Sequence, residues 1–74
     1  MFYYTYVLKS LKDDKLYIGW TDNLKQRFLK HQSGLVNSTR DRRPLKIIYY
    51  EACQNKENVI QREKYFKSGY GRNF

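Results

Sequence analysis

Three groups of side chains in this sequence have types and spacings suited to acid–base chemistry or phosphate binding. The first is Glu63, which shares one face of a predicted helix with Val59 and Phe66, because residues at i, i+4 and i+7 lie in one row. A carboxylate in an apolar row is costly unless it is paired or binds a metal. From spacing alone, the simpler interpretation places Glu63 at the edge of the row, in water or bridged to Arg62 or Lys67.

The second group lies on another predicted helix, where Arg27 and His31 are one turn apart beside the apolar Leu24 and Phe28. Arginine can hold a phosphate through paired N–H groups, and histidine exchanges protons near neutral pH. Two surface charges on an amphipathic helix would produce the same pattern. His31 is the only histidine and Cys53 the only cysteine, so the sequence contains no histidine-rich or cysteine-based metal site.

The third group is a pair of tyrosines, Tyr6 and Tyr17, on the two strands of a predicted hairpin. Their side chains share a face of the sheet if paired residues have numbers with an odd sum, because strand side chains alternate between faces. The chain contains eight tyrosines. Packing in the core therefore explains each tyrosine by itself at least as well as catalysis does.

A small set of elements must position these three groups. Segments rich in aromatic and β-branched residues predict strands at 2–9, 16–20 and 45–52. Helical periodicity after N-cap residues predicts helices at 24–32 and 56–67, and the polar segment 35–44 is predicted to be a surface loop. The order β-β-α-β-α predicts an α+β fold, with a three-stranded antiparallel sheet flanked by helices.

Length and charge limit the possible functions. A chain of 74 residues predicts one domain spanning 1–74, and a net charge of +8 favours a polyanionic partner, although it could also serve solubility alone. No apolar run approaches the ~18 residues of a membrane span. The N-terminus does not resemble a signal peptide, so we expect a protein of the reducing cytoplasm.

The ordered positions of these residues resemble the GIY-YIG nuclease family. Tyr4-Thr5-Tyr6 and Tyr17-Ile18-Gly19 resemble the two halves of its motif, with Tyr4 and Thr5 replacing the glycine and isoleucine of the first half. Further positions that match the family in order are Arg27, His31 and Glu63, the last within the string QREKYFKSGYGR. The resemblance covers essentially the whole chain and is strongest to small single-domain members similar to the nuclease domain of excinuclease.

The resemblance implies a divalent-metal-dependent endonuclease that hydrolyses DNA phosphodiester bonds, as in DNA repair, with Mg²⁺ or Mn²⁺ as cofactor. Glu63 would hold the metal, and Arg27 would bind a phosphate oxygen. Tyr6 or Tyr17 would orient or deprotonate the attacking water, and His31 could relay its proton. The resemblance therefore implies five catalytic residues: Tyr6, Tyr17, Arg27, His31 and Glu63. Tyr6 and Tyr17 should then point into one shared pocket that both long helices face.

Basic residues outside that set would contact the DNA backbone without reading sequence. They are Lys25, Lys30, Arg40, Arg42, Arg43, Lys64, Lys67 and Arg72. DNA structure or a protein partner would then supply specificity. Two alternatives stay open: a nucleic-acid-binding module of the same fold without catalysis, and a protein-interaction domain whose charge is incidental.

Two positions depart from the family pattern. Trp20 stands where many members have a lysine just after the second half of the motif. Asn73, near the end of the chain, is the nearest counterpart of an asparagine that many members carry beyond the glutamate. The alternative of a nucleic-acid-binding module without catalysis rests on these departures and on the positive charge.

Overall fold

The computed structural model describes residues 1–68 of the chain. Its elements are β1 (Tyr3–Ser10), β2 (Leu16–Thr21), α1 (Leu24–Gln32), α2 (Asn37–Arg40), β3 (Leu45–Cys53) and α3 (Lys56–Lys67). The strands form one antiparallel sheet in the order β2-β1-β3. The predicted α+β fold with the order β-β-α-β-α is therefore confirmed. The short helix α2 is an addition, because the segment 35–44 was predicted to be a loop throughout.

β1 is the central strand, and it is buried on both faces. Tyr6 and Leu8 pack on one face with Leu45, and α1 covers this face through Leu24 and Phe28. Val7 packs on the other face with Ile18 and with Phe66 of α3. The two long helices therefore lie on opposite faces of the sheet, since neighbouring residues of a strand point in opposite directions.

Helix α1 begins and ends where the sequence predicts. The side chain of Asn23 caps its first turn by accepting a hydrogen bond from the Gln26 amide at 3.1 Å. At its C-terminus the Gly34 amide donates to the carbonyl of His31 and the Leu35 amide donates to that of Lys30. Gly34 has a φ of 80°, so the helix ends in a Schellman motif with glycine in the left-handed conformation.

The segment before β3 is tied to the hairpin turn at one end of the sheet. Ser10 Oγ donates to the carbonyl of Arg42 at 2.7 Å, and the Leu11 amide donates to that of Pro44 at 2.9 Å. Lys12 Nζ donates to the carbonyl of Asp41 at 3.2 Å. The polar segment predicted as a surface loop is consequently held against the sheet, with Thr39 completely buried.

Helix α3 begins after Asn55, whose side chain accepts a hydrogen bond from the Asn58 amide at 3.1 Å.

Among residues 1–68, no helix has both the length and the apolar character needed to cross a membrane. Cys53 is half-buried at the end of β3.

Candidate active site

Tyr6 and Tyr17 point to the same face of the sheet, as predicted. Tyr6 pairs with Gly19 and Leu8 pairs with Tyr17, so paired residues have an odd sum. Tyr17 therefore lies diagonally across from Tyr6, and the two ring centroids are 6.4 Å apart. Tyr6 is almost fully buried, with 1% of its surface exposed, whereas Tyr17 is half-buried.

Gly19 provides the space for the Tyr6 hydroxyl. A Cβ atom at this position would lie 2.6 Å from the Tyr6 hydroxyl oxygen and 2.8 Å from the ring carbon that bears it. Real Cβ contacts are essentially never that short, so any side chain larger than hydrogen would displace Tyr6. Gly19, in the second half of the motif, therefore leaves room for the side chain of Tyr6, in the first half, to lie across β2.

His31 lies inside the protein, against both tyrosines. Its Nε2 is 3.0 Å from the Tyr6 hydroxyl, and its ring centroid is 5.0 Å from that of Tyr17. No part of the residue is exposed. The alternative interpretation of His31 as a surface charge on an amphipathic helix is therefore wrong.

Arg27, one turn before His31 on α1, brings a positive charge to the same two tyrosines. Interaction with the Tyr6 hydroxyl is the main reason why the pKa of Arg27 is raised, and Tyr17 contributes in the same direction. Arg27 itself is half-buried. We call the four residues Tyr6, Tyr17, Arg27 and His31 the tyrosine cluster.

Burial sets the protonation states inside the cluster. It raises the pKa of Tyr6, while the interaction with Arg27 acts in the opposite direction. Burial also lowers the pKa of His31 to about 4, and the charge of Arg27 lowers it further in the same direction. At neutral pH, His31 is therefore an uncharged imidazole and Tyr6 a protonated phenol.

Glu63 is carried by α3. Its negative charge makes a minor contribution to the raised pKa of Tyr6, whose main cause is burial. The Glu63 side chain is 19% exposed and forms an ion pair with Lys67 at 3.4 Å. The prediction that both long helices face the tyrosines is wrong in one respect, because the body of α3 packs on the opposite face of the sheet from Tyr6.

The donor groups around Glu63 fit one hard cation with few protein ligands. Residues 1–68 contain no cluster of three or more histidine, cysteine, aspartate or glutamate side chains that could hold a metal. Magnesium is commonly bound by one or two carboxylates, with water and substrate phosphate completing its shell. A lone, partly buried carboxylate is compatible with that arrangement, although Lys67 would have to yield its ion pair.

Among the predicted DNA-contacting residues within 1–68, Arg42 is half-buried and the others are exposed: Lys25, Lys30, Arg40, Arg43, Lys64 and Lys67. Arg42 and Arg43 also have partners within the protein, as Lys67 has in Glu63. Arg43 donates from Nε to the Arg40 carbonyl at 2.8 Å, and Arg42 is half-buried, with its Nε 3.7 Å from an Asp13 carboxylate oxygen. Arg72 and Asn73 lie outside the described residues.

Thr39 is a member of the site that sequence reasoning missed. Its hydroxyl oxygen is 2.7 Å from His31 Nδ1, on the side of the imidazole opposite Tyr6. It is carried by α2, which is only four residues long. A helix this short has no hydrophobic periodicity, and a threonine in a polar segment is common, so no signal in the chain pointed to it.

Comparisons with known proteins agree with this architecture. The sequence matches the family model described as the GIY-YIG catalytic domain over residues 2–74. A UPF0213 protein of Clostridium perfringens is 45% identical over 65 residues, which cover 86% of this chain and 69% of that protein. A UPF0213 protein of Bacillus pumilus is 40% identical over 67 residues, covering 89% of this chain and 67% of its own length.

A solved structure shows the same fold. The solution NMR structure of a UPF0213 protein from Bacillus halodurans matches with a TM-score of 0.56 and 34% sequence identity, covering 90% of this chain and 71% of that one. The match to the family model, the order of the site residues along the chain and the fold therefore agree. The chain belongs to the GIY-YIG family of nuclease domains.

Proposed function

We propose that this protein is a divalent-metal-dependent endonuclease that hydrolyses DNA phosphodiester bonds. The observation that carries the proposal is the grouping of Tyr6, Tyr17 and the buried neutral His31, whose surroundings also feel the charges of Arg27 and Glu63. The arrangement supplies a cation for a phosphate, hydroxyls for a water molecule and a carboxylate for a metal. Metal-dependent phosphodiester hydrolysis can use each of these groups.

Arg27 is the group that would bind the scissile phosphate. It is half-buried, and its interaction with the Tyr6 hydroxyl raises the pKa of Arg27, so its guanidinium would already be charged and oriented when DNA binds. A preoriented donor in a partly dry site stabilises charge that develops on a non-bridging oxygen in the transition state. Removing a single donor of this kind typically costs about 10²–10³-fold in kcat.

Tyr17 is the tyrosine that would contact the attacking water. It is half-buried, whereas Tyr6 is almost fully enclosed behind it. Tyr6 and His31 would then support the site without contacting the water. The Tyr6 hydroxyl would orient Arg27, and His31 Nε2 would accept a hydrogen bond from that hydroxyl. This division of roles follows from exposure, which the sequence alone did not provide.

Glu63 would hold the metal, either Mg²⁺ or Mn²⁺. When bound, the ion would neutralise phosphate charge and stabilise the leaving 3′-oxygen. The exposed basic residues would hold the DNA backbone, and no element within residues 1–68 is suited to reading base edges. We therefore expect DNA structure, as in a repair intermediate, or a protein partner to direct cleavage.

The proposal is tested by nicking of supercoiled plasmid and of branched DNA with Mg²⁺. Glu63→Gln should reduce the rate at least about 100-fold, on the scale of a lost transition-state contact. Glu57→Gln is the matched control, because Glu57 lies on the same helix but is exposed in its first turn. Equal rates for Glu63→Gln and wild type would refute the metal role of Glu63.

The same assay distinguishes a nuclease from the alternative, a nucleic-acid-binding module without catalysis, which the net charge of +8 favours. A binding module would retain DNA affinity that falls steeply with salt. It would cleave none of these substrates with Mg²⁺, Mn²⁺ or any other divalent ion. That combination of results would replace the nuclease proposal with nucleic-acid binding alone.

A further inference from the structure

A series of side-chain contacts runs from Thr39 through His31 to Tyr6 in the protein interior. Thr39 Oγ1 lies 2.7 Å from His31 Nδ1, and His31 Nε2 lies 3.0 Å from the Tyr6 hydroxyl. The positive charge of Arg27 acts on the same hydroxyl, because it opposes the rise in the pKa of Tyr6. Thr39 and His31 are completely buried and Tyr6 is 1% exposed, so bulk water does not compete for these contacts.

The direction of each hydrogen bond follows from the buried hydroxyl of Tyr6. Its proton needs an acceptor, and the positive charge of Arg27 favours an arrangement in which the oxygen, rather than the proton, faces the guanidinium. Within residues 1–68, His31 Nε2 is the acceptor at hydrogen-bond distance, which requires that Nε2 be unprotonated. A neutral imidazole then carries its proton on Nδ1, and Nδ1 donates to Thr39 Oγ1.

The Thr39 hydroxyl can accept the hydrogen bond from His31 Nδ1 and still donate its own proton. Its own proton faces the carbonyl of Val36 at 3.5 Å, at the start of the same short helix. In the opposite tautomer, Nε2 would carry the proton and donate it to the Tyr6 oxygen, and the Arg27 guanidinium would face that same oxygen. The hydrogen bonds of residues 1–68 then offer the Tyr6 proton no acceptor, and an unsatisfied buried donor is costly.

We propose that Thr39 is a positioning residue, which holds His31 in the Nδ1-protonated tautomer and thereby keeps the Tyr6 oxygen available to orient Arg27. The partner of one ring nitrogen generally decides which nitrogen of a histidine carries the proton. The tautomer follows from the contacts themselves. Its consequence for DNA cleavage rests on the proposed function.

The tautomer can be measured directly by ¹⁵N NMR of the imidazole at neutral pH. His31 is the only histidine in the chain, so its two ring nitrogens need no assignment against others. We expect a protonated Nδ1 and an unprotonated Nε2. A spectrum with the proton mainly on Nε2 would overturn the proposal, whether or not the protein cleaves DNA.

Three variants separate the hydrogen bond from the shape of the side chain. Thr39→Val keeps the shape and removes the acceptor, so the Nε2-protonated population should rise. Thr39→Ser keeps the hydroxyl and should retain the wild-type tautomer. Ser38→Ala, at the neighbouring position on α2, should leave the spectrum unchanged. If Thr39→Val keeps the wild-type tautomer while folded, or if Thr39→Ser loses it, the proposal is wrong.

Cleavage kinetics supply the second measurement. Thr39→Val should lower kcat about 10–100-fold, the range seen when partners behind a site residue are removed, with KM for DNA unchanged. Thr39→Ser should restore kcat. A cleaving wild-type protein whose kcat does not respond to Thr39→Val would contradict the proposal. Absence of cleavage in the wild type would count against the nuclease assignment and leave the NMR result to decide the tautomer.

Discussion

At the scale of single residues, burial makes His31 sensitive to pH in a defined direction. Burial and the charge of Arg27 lower the pKa of His31 from 6.5 to about 4. Between these values the unfolded chain binds a proton that the folded protein does not. The contribution of His31 to stability is therefore fully present above about pH 6.5 and is lost as the pH falls towards 4.

This predicts that the free energy of unfolding decreases from about pH 6.5 to about pH 4.5 more steeply in the wild type than in His31→Gln. Carboxylates titrate in part of this window in both proteins, so the difference between the two slopes isolates the histidine. Urea denaturation at several pH values measures it. Parallel slopes would show that His31 is not held neutral by burial.

Gly19 offers a second prediction at this scale. Replacing a strand glycine by alanine usually stabilises a protein by about 0.5–1 kcal/mol, because the unfolded chain loses freedom. Here the new Cβ would meet the Tyr6 hydroxyl oxygen at 2.6 Å. We expect Gly19→Ala to destabilise the protein by about 1–3 kcal/mol, the usual cost of overpacking. Chemical denaturation measures the change, and a gain in stability would contradict the close contact.

At the scale of elements, the end of α1 fixes where the following segment starts. Gly34 has a φ of 80°, and a Cβ there would lie 2.9 Å from the Arg43 guanidinium carbon. Gly34→Ala should therefore lower the free energy of unfolding by about 1 kcal/mol or more. Thermal or urea denaturation provides the measurement. A Gly34→Ala variant as stable as the wild type would refute the constraint.

Element boundaries were the part of the fold that the sequence predicted best. Both long helices occupy the predicted ranges, since N-cap residues mark their starts and a glycine follows the end of α1. Strand ends differ by a residue, because pairing extends β1 to Ser10 and β3 to Cys53. Helix α2 could not be predicted, because its four residues depend on contacts of Thr39 and on the turn around Ser10.

The site was predictable only in part, for a related reason. Spacing placed Arg27 and His31 on one helix, whereas the shared face of Tyr6 and Tyr17 depended on an odd-sum register that the structure supplied. An amphipathic pattern says that a helix packs on the sheet but not on which face. The separation of α1 and α3 across the sheet, which places Glu63 on the helix that does not cover Tyr6, therefore required the structure.

At the scale of the whole molecule, neighbouring basic residues differ in their surroundings, because some are exposed and others contact groups of the protein itself. Arg40 is exposed, whereas Arg42 is half-buried beside Asp13 and donates to the Leu16 carbonyl. Arg40→Ala should weaken DNA binding and reduce the slope of log K against log salt by about 1. Arg42→Ala should instead lower the free energy of unfolding by about 1–2 kcal/mol.

Fluorescence anisotropy across a salt series and urea denaturation distinguish these two effects. The pair is informative because the two arginines lie close together in the same segment. If Arg42→Ala altered the salt slope with no loss of stability, Arg42 would be a DNA contact rather than a structural side chain. If Arg40→Ala left the slope unchanged, the DNA would not pass over α2.

The most direct test of the nuclease assignment is a crystal structure of the protein with Mn²⁺ and a DNA duplex carrying a non-cleavable scissile phosphate. We expect an anomalous manganese peak at the Glu63 carboxylate, with Lys67 displaced from its ion pair. We also expect a phosphate oxygen of the DNA in contact with Arg27, beside Tyr17. Manganese bound elsewhere while Glu63 stays paired with Lys67, or DNA bound with no phosphate at Arg27, would contradict the nuclease assignment.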